Sequence, residues 1–381
     1  MTGPVAAIAG VAESDLGIVA PKTALQLQAE AAREALAEAG LTFADVDAVF
    51  CAGRDEVSPS LLLAEYLGIT PRYSDSTNIG GASFLAHAAH AAAAIEAGLC
   101  EVALIAYGST QRSLRARSLG GTGAIPGPAQ FETVWGLPLP VGGYAMAATR
   151  HGHLYGTTAE QLAEVAVATR AWAGLNPKAY YRDPITIDDV LGSTMIATPL
   201  HLLDCCLVTD GGGAVVIVRA DRARDLAKPP VWLLGHGHSH SHLTIANMPD
   251  LTTTSAALSG AAAMEMAGVT HDEIDVAQIY DSFTITVLLS LEALGFCGPG
   301  ESGPFVEGGR TAPGGDFPMN TNGGGLSYCH PGMYGIFTLI EATRQVRGEC
   351  GDRQVEGARI ALCNGTGGVL SSAATVVLAR D

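Results

Sequence analysis

The chain has 381 residues, 48% of them hydrophobic and 15% charged, which is enough for one large domain or two ordinary ones. Its net charge of −17 argues against a nucleic-acid-binding protein, because such proteins present a basic surface. The opening MTGPVAAIAGVAESD has no basic segment, and no stretch of about 18 residues is uniformly apolar, so we expect neither a signal peptide nor a membrane span. Eight cysteines without C-x-x-C spacing indicate a reducing compartment, and we predict a cytoplasmic location.

Short apolar runs alternate with amphipathic or alanine-rich segments in the first part of the chain. Apolar runs that end at glycine or at a polar residue predict buried strands, and the longer segments between them predict helices. This alternation predicts a layered α/β fold. The predicted strands are 4–11, 45–53 and 101–109, and the predicted helices are 23–40, 60–69 and 80–99.

From about residue 110 to residue 200 the pattern is less regular. The Gly/Pro-rich segment SLGGTGAIPGPAQ precedes two helical segments. A long, partly helical insertion over one end of a sheet commonly shapes a substrate pocket. The segment LLDCCLVTDGGGAVVIV at 202–218 then returns to a strand, and Asp210 with three glycines predicts a tight turn before that strand.

The second half of the chain repeats the pattern of the first. AGLTFADVDAVF begins at Ala39 and AGVTHDEIDVAQIY begins at Ala267, and each precedes a predicted helix that ends in a Leu-Gly-apolar step. A duplicated α/β unit predicts two halves related by a pseudo-twofold axis, namely residues 1–227, which include the insertion, and residues 228–381. We expect their sheets to stack around shared helices, with the functional site where the halves meet.

The segment from Asn322 to Gly335, NGGGLSYCHPGMYG, carries the densest acid/base chemistry in the chain. Three consecutive glycines disfavour regular structure and permit a close backbone approach. A phenol (Tyr328), a thiol (Cys329) and an imidazole (His330) follow at once, and a helical pattern begins after Gly335. We therefore predict a catalytic loop at the N-terminus of a helix, where negative charge is favoured.

Five motifs together resemble the thiolase superfamily, and more narrowly the sterol-carrier-protein-x-type thiolases, the lipid-transfer-protein-like branch. The motifs are LLDCCLVTDGGGAVVIV, YDSFT, NGGGLSYCHPGMYG, RQVRGECGDRQV and ALCNGTGG. The resemblance spans nearly the whole chain. It implies the thiolase fold with its αβαβα layers, a homodimer, and an acyl-CoA thioester as substrate with no bound cofactor.

The catalytic positions of thiolases carry over unevenly. A thiolase has a nucleophilic cysteine in a C-x-S context at the start of the central helix, and here Gly81 stands in that position. Tyr280 in YDSF replaces the histidine of the family's H-D-x-F element. His330 keeps the family's G-H-P histidine, and Cys363 keeps its C-x-G cysteine. Without the nucleophile, acyl transfer has no evident covalent intermediate.

One branch of these proteins resembles aldolases that act on the CoA thioesters of steroid side chains. Those aldolases pair with a small zinc-ribbon/OB-fold protein, which implies a heterotetramer, and carry tyrosines at the positions of Tyr280 and Tyr328. The resemblance implies retro-aldol cleavage of a β-hydroxyacyl-CoA. We assign Tyr328 or Tyr280 as the base, its pKa lowered by His330 or the helix N-terminus, His330 as donor to the thioester oxygen, and Cys363 as the acid that protonates the enolate. Asp281 is expected to cap the following helix.

Two other functions stay open. One is a Claisen-type acetyl-CoA acyltransferase that uses Cys329 or Cys363 as its nucleophile, and the other is a non-catalytic acyl-CoA- or lipid-binding subunit. The acyl group can be a steroid side chain, a branched fatty acyl or an aromatic acyl. Basic residues around 112–117 and 170–182 are candidates for the CoA phosphates. The run GHGHSHSH at 235–242 aligns four imidazoles, but without nearby cysteine or carboxylate ligands we predict no metal site.

Overall fold

The computed structural model of the chain describes residues 3–53, 57–115, 127 and 130–381, so the segment SLGGTGAIPGPAQ lies almost wholly outside the described residues. The strands are β1 (Ala6–Glu13), β2 (Ala48–Cys51), β3 (Tyr73–Asp75), β4 (Val102–Ser109), β5 (Met195–Ala197), β6 (Leu200–His201), β7 (Gly211–Arg219), β8 (Val231–His240), β9 (Val276–Ile279), β10 (Ile360–Gly367) and β11 (Ser372–Ala379). The helices are α1 (Ala24–Ala39), α2 (Pro59–Leu67), α3 (Ser83–Glu96), α4 (Gln130–Thr133), α5 (Val141–Tyr155), α6 (Ala159–Leu175), α7 (Ile187–Leu191), α8 (Ala220–Ala223), α9 (Ala256–Ala267), α10 (Thr284–Ala293), α11 (Ser302–Val306) and α12 (Gly335–Arg347).

Nine strands form one mixed sheet in the order β3-β2-β4-β7-β1-β8-β11-β10-β9. The first five strands in this order come from before residue 228 and the last four come from after it. The two groups join where β1 and β8 pair in antiparallel fashion, with Ala7 opposite Trp232. The predicted strands at 4–11, 45–53 and 101–109 are confirmed as β1, β2 and β4. The division of the chain into halves at 227 and 228 stays a prediction.

Helices cover both faces of the sheet, which explains why strands such as β1, β2 and β4 are buried along almost their whole length. Alternate residues of β1 belong to different cores: Ala7 packs in the core that includes α1, whereas Ile8 packs in the core that includes α3 and α12. Helices α3 and α12 contact strands from both groups, and α9 packs against β8 and β11. The two groups of strands therefore lie on opposite sides of α3 and α12, with α1 outside the first group and α9 outside the second. This gives five layers in the order helix, strand, helix, strand, helix, which confirms the predicted αβαβα fold.

The insertion packs against helices from the C-terminal part of the chain. Helix α6 contacts α10 and α11, and α5 contacts α10, so these insertion helices share a core with the C-terminal half. Tyr144 in the first turn of α5 is buried and lines the cavity described below. Among the described helices, none is both long enough and apolar enough to cross a bilayer.

Candidate active site

The glycine loop is one turn of π-helix, Gly324–Tyr328, and the carboxylate of Asp281 holds it in place. The backbone N–H of Gly325 donates to Asp281 Oδ1 at 2.6 Å, and that of Leu326 donates to Oδ2 at 3.1 Å. A Cβ on Gly324 would lie only 2.0 Å from Asp281 Oδ2, so this approach requires glycine. The expected cap is wrong, because α10 begins at Thr284 without a side-chain cap. Asp281 instead caps the glycine loop.

Side chains from the N-terminal half hold the next part of the loop. His330 donates its backbone N–H to Thr209 Oγ1 at 3.0 Å, and its carbonyl oxygen accepts from Gln111 Nε2 at 2.8 Å. Tyr107 donates its hydroxyl to the Pro331 carbonyl oxygen at 2.6 Å. The sequence analysis missed these three supports. Thr209 adjoins the predicted turn at Asp210, but no local pattern marks Gln111 or Tyr107.

Tyr280 and His330 meet in a cavity of about 140 Å³ at the start of α3. The Tyr280 hydroxyl and His330 Nε2 are 2.6 Å apart, although the residues are 50 positions apart in the sequence. Gly81, which stands at the thiolase nucleophile position, lines the same cavity. Apolar rings of Tyr144 and Phe283 form part of the wall, with their centroids 4.3 Å apart. The cavity thus joins a hydrogen-bonded phenol–imidazole pair to an apolar surface.

Tyr328 does not line this cavity, although it is only two residues from His330. Its hydroxyl donates to Glu13 Oε1 at 2.8 Å, and Glu13 also pairs with Arg344 and Lys178. Burial raises the pKa of Tyr328 well above 10, and the negative charge of Glu13 raises it further. We expected a lowered pKa for a tyrosine base, so this environment gives no support to Tyr328 in that role.

The two candidate cysteines are also outside the cavity lining. Cys363 is fully buried and its Sγ lies 3.4 Å from the Thr338 carbonyl oxygen. Cys329 is fully buried next to Tyr328. Burial raises the pKa of both thiols, and for Cys329 the charges of Glu13 and Asp281 add to the effect. A thiolate is the reactive form of cysteine, so both environments disfavour nucleophilic attack. Of the four predicted site residues, the structure brings together Tyr280 and His330.

Arg170, a candidate for a CoA phosphate, is instead tied to the glycine loop. It is buried, donates from Nε to Ser327 Oγ at 2.7 Å, and donates from Nη1 to the Asp183 carbonyl oxygen at 3.1 Å. The histidine run lies largely on β8, where the His238 ring contacts those of His90 and His240. In the described part of the chain, no three His, Cys, Asp or Glu side chains are grouped so that they could hold a metal ion.

Asp281 gives the first testable prediction, which concerns pH and stability. Its complete burial raises its pKa from 3.8 to about 7, against the lowering effect of the Gly325 and Leu326 N–H groups. Because the pKa is higher in the folded state than in the unfolded state, ionisation of this carboxyl favours unfolding. The free energy of unfolding therefore falls as the pH rises from about 4 to about 7, by a total on the order of 4 kcal/mol. We expect Asp281→Asn to remove this dependence when urea unfolding is measured at pH 4.5, 6 and 7.5.

The control is Asp352→Asn, at an exposed carboxyl. Its stability should follow that of the wild type at each pH. If the difference between wild type and Asp281→Asn is the same at all three pH values, the assignment of a raised pKa to Asp281 is incorrect.

Comparison with known proteins agrees with the fold. Residues 237–380 match the family model described as thiolase C-terminal domain-like. The acetyl-CoA acetyltransferase of Methanothermobacter thermautotrophicus is 33% identical, over 98% of this chain and 99% of that protein. The steroid side-chain-cleaving aldolase of Thermomonospora curvata is 36% identical, over 95% of each chain. The solved Ltp2-ChsH2(DUF35) aldolase is 33% identical, with a TM-score of 0.90 over 99% of this chain and 98% of that one.

The αβαβα layers and the phenol–imidazole pair at the start of the central helix α3 define a thiolase-fold protein whose nucleophile position is glycine. The chain belongs to the thiolase superfamily, and within it the chain is similar to proteins named as steroid side-chain-cleaving aldolases.

Proposed function

We propose that the protein is a carbon–carbon lyase that cleaves a β-hydroxyacyl-CoA thioester by a retro-aldol reaction, in the degradation of a lipid or steroid side chain. The products are a ketone or aldehyde and a shorter acyl-CoA. The observation that carries the proposal is the 2.6 Å contact between the Tyr280 hydroxyl and His330 Nε2, in a cavity where Gly81 supplies no nucleophile. The similarity to two proteins that are named aldolases supports the same reaction class.

Retro-aldol cleavage needs a base for the β-hydroxyl group and a donor or dipole for the enolate oxygen, but no covalent intermediate. In the proposed step Tyr280 accepts the substrate's hydroxyl proton while its own proton moves to His330 Nε2. The electrons of the Cα–Cβ bond move towards the thioester and form its enolate. Gly81 lies just before α3, so the positive end of that helix is available to stabilise the enolate oxygen.

The proton for the α-carbon has two candidate sources. We favour His330, because the first step leaves it protonated beside the reacting atoms. Cys363, the candidate from the resemblance, has its Sγ directed at the Thr338 carbonyl oxygen. For Tyr328 we propose a positioning role, in which the hydrogen bond to Glu13 fixes the end of the π-turn that precedes His330. The catalytic roles first assigned to Tyr328 and Cys363, and that of His330 as donor to the thioester oxygen, remain predictions.

We further propose a homodimer and a heterotetramer with a zinc-ribbon/OB-fold partner protein. The basis is the resemblance, together with the similarity to the Ltp2-ChsH2(DUF35) aldolase, whose name joins two components. Strand β3 lies at one edge of the nine-stranded sheet, so one side of it has no neighbouring strand within that sheet. Light scattering on the chain alone measures the homodimer, and light scattering after mixing with such a partner measures the heterotetramer. A chain that stays monomeric and binds no partner contradicts both proposals.

The test of function is product analysis with a panel of β-hydroxyacyl-CoA thioesters, with the partner protein present. We expect equal amounts of ketone or aldehyde and of shorter acyl-CoA by liquid chromatography and mass spectrometry. Intact-protein mass spectrometry of the same mixtures should show no acyl adduct.

The alternative function is Claisen-type acyl transfer, for which the name of the acetyl-CoA acetyltransferase relative is the specific observation. It predicts a stable mass gain on Cys329 or Cys363, and condensation of two acyl-CoA molecules. Such an adduct, with no carbonyl product from any β-hydroxyacyl-CoA, would replace the lyase proposal. Binding without either reaction would indicate the non-catalytic subunit instead.

A further inference from the structure

The space beside Gly81 is filled by the ring of Tyr280. A Cβ built on Gly81 would lie 2.0 Å from Tyr280 Cε1 and 2.9 Å from Cδ1, and 2.7 Å from the Thr366 carbonyl oxygen. The first of these distances is far shorter than any non-bonded carbon–carbon contact at optimal separation. Even the smallest side chain at position 81 therefore overlaps the tyrosine ring in its present position.

Neighbouring rings limit the movement of the Tyr280 ring, which borders the cavity on one side. Tyr280 is only 4% exposed. Its ring centroid lies 5.6 Å from that of His330 and 5.4 Å from that of Tyr334, and Tyr334 is itself buried and donates its hydroxyl to Asn322 Oδ1 at 2.8 Å. In a closely packed interior such a ring shifts only if its neighbours shift as well.

We propose that Gly81 is a specificity-determining residue of this site, because it keeps free the volume in which Tyr280 reaches His330. The cavity holds either a side chain on residue 81 or the Tyr280 phenol beside the imidazole, but not both. Glycine at 81 and tyrosine at 280 thus form one coupled pair that selects proton-transfer chemistry over attack by a side chain of residue 81. The functional part of this inference rests on the proposed lyase activity, whereas the steric part does not.

The steric part is tested by a double-mutant cycle in thermal unfolding. We expect Gly81→Ala to lower the melting temperature by at least about 3 °C, as overpacking does. In a Tyr280→Ala background the ring is absent, and the same substitution should lower the melting temperature by at most half as much. The decrease that is left is due to the approach of the added Cβ to the Thr366 carbonyl oxygen. If Gly81→Ala does not fold, the double variant should be recovered as folded protein.

The matched control is Gly174→Ala in α6, where an added Cβ meets only the Arg182 carbonyl oxygen at 3.4 Å. This substitution should raise the melting temperature by at most a few degrees, as expected for alanine in a helix, and by the same amount in both backgrounds. If Gly81→Ala lowers the melting temperature as much in the Tyr280→Ala background as in the wild type, the proposal is overturned, because the ring is then not what excludes the side chain.

The functional part is tested by cleavage rates. We expect Gly81→Ala to lower the rate about 100-fold or more, because a displaced ring loses its contact with His330. Added to Tyr280→Phe, it should lower the rate by less than a further factor of about three. Wild-type cleavage by Gly81→Ala overturns the inference. Absence of cleavage by the wild-type protein refutes the proposed lyase instead, and the thermal cycle still decides whether the pair is coupled.

Discussion

Replacing Tyr280 with phenylalanine should lower the rate of β-hydroxyacyl-CoA cleavage by about 100- to 10,000-fold, the usual contribution of a positioned acid or base. The substitution removes the hydroxyl that lies 2.6 Å from His330 Nε2 and keeps the ring that fills the space beside Gly81. Because the ring stays, the melting temperature should fall by only a few degrees, as for one lost hydrogen bond. Steady-state kinetics with quantified acyl-CoA product measures the effect.

Tyr328→Phe is the matched control, since it removes a buried tyrosine hydroxyl in the same loop system. Its hydroxyl donates to Glu13, so we expect a loss of stability of about 2 kcal/mol and a cleavage rate within about threefold of wild type. The opposite pattern, with Tyr328→Phe inactive and Tyr280→Phe active, would assign the base to Tyr328. Wild-type rates in both variants would remove tyrosine from the chemistry.

Replacing Glu13 with glutamine should cost about 3 kcal/mol or more in the free energy of unfolding at pH 7.5. Glu13 joins β1 to α12 through its pair with Arg344, in which Arg344 Nη2 donates to Glu13 Oε2 at 2.7 Å, and also contacts Lys178 and Tyr328. Glutamine leaves the guanidinium of Arg344, whose side chain is only 17% exposed, without its counter-charge. Breaking a buried pair in this way is strongly destabilising.

The same network predicts a pH dependence. Burial by itself would raise the pKa of Glu13, but the charges of Arg344 and Lys178 outweigh burial and hold the pKa well below the ordinary 4.5. A lowered folded-state pKa gives stability that is present above about pH 4.5 and is lost as the pH falls below that value. The difference between wild type and Glu13→Gln should therefore shrink between pH 6 and pH 3.5 in urea unfolding.

Glu101→Gln serves as the control for charge removal, because Glu101 pairs with Arg219 at the surface and both side chains are 43% exposed. We expect a change below about 1 kcal/mol, with little dependence on pH over this range. If Glu13→Gln behaves like Glu101→Gln, the buried network does not stabilise the fold as its geometry indicates.

Local patterns were enough to predict a layered α/β fold, and the family resemblance added the αβαβα order of its layers. The apolar runs of β1, β2 and β4 are buried on both faces, which gives a continuous signal that does not depend on partners far along the sequence. The repeat at Ala39 and Ala267 indicated two similar halves, and the structure has α3 and α12 between the strands of those halves. The glycine triplet likewise predicted a special turn, because few other residues tolerate such backbone angles.

The site could be predicted only in part. The resemblance led to Tyr280 and His330, which lie together, and to Tyr328 and Cys363, which lie outside the cavity. Adjacency in sequence suggested that Tyr328 would act with His330. Its hydroxyl is directed instead to Glu13, 315 positions away in the chain, and no local pattern could indicate a partner so distant.

The sequence by itself therefore determined the layered α/β fold and the special turn at the glycine triplet, because both follow from residue types and their local spacing, whereas the nucleophile position at Gly81 was identified only through the family resemblance. Only the tertiary structure decided which polar groups share the cavity and which are locked in buried networks. Burial and partner charge set those environments, and both depend on contacts between segments that are far apart in the chain. The Asp281 carboxylate, expected to cap a helix and found to hold the glycine loop, shows this at a single residue.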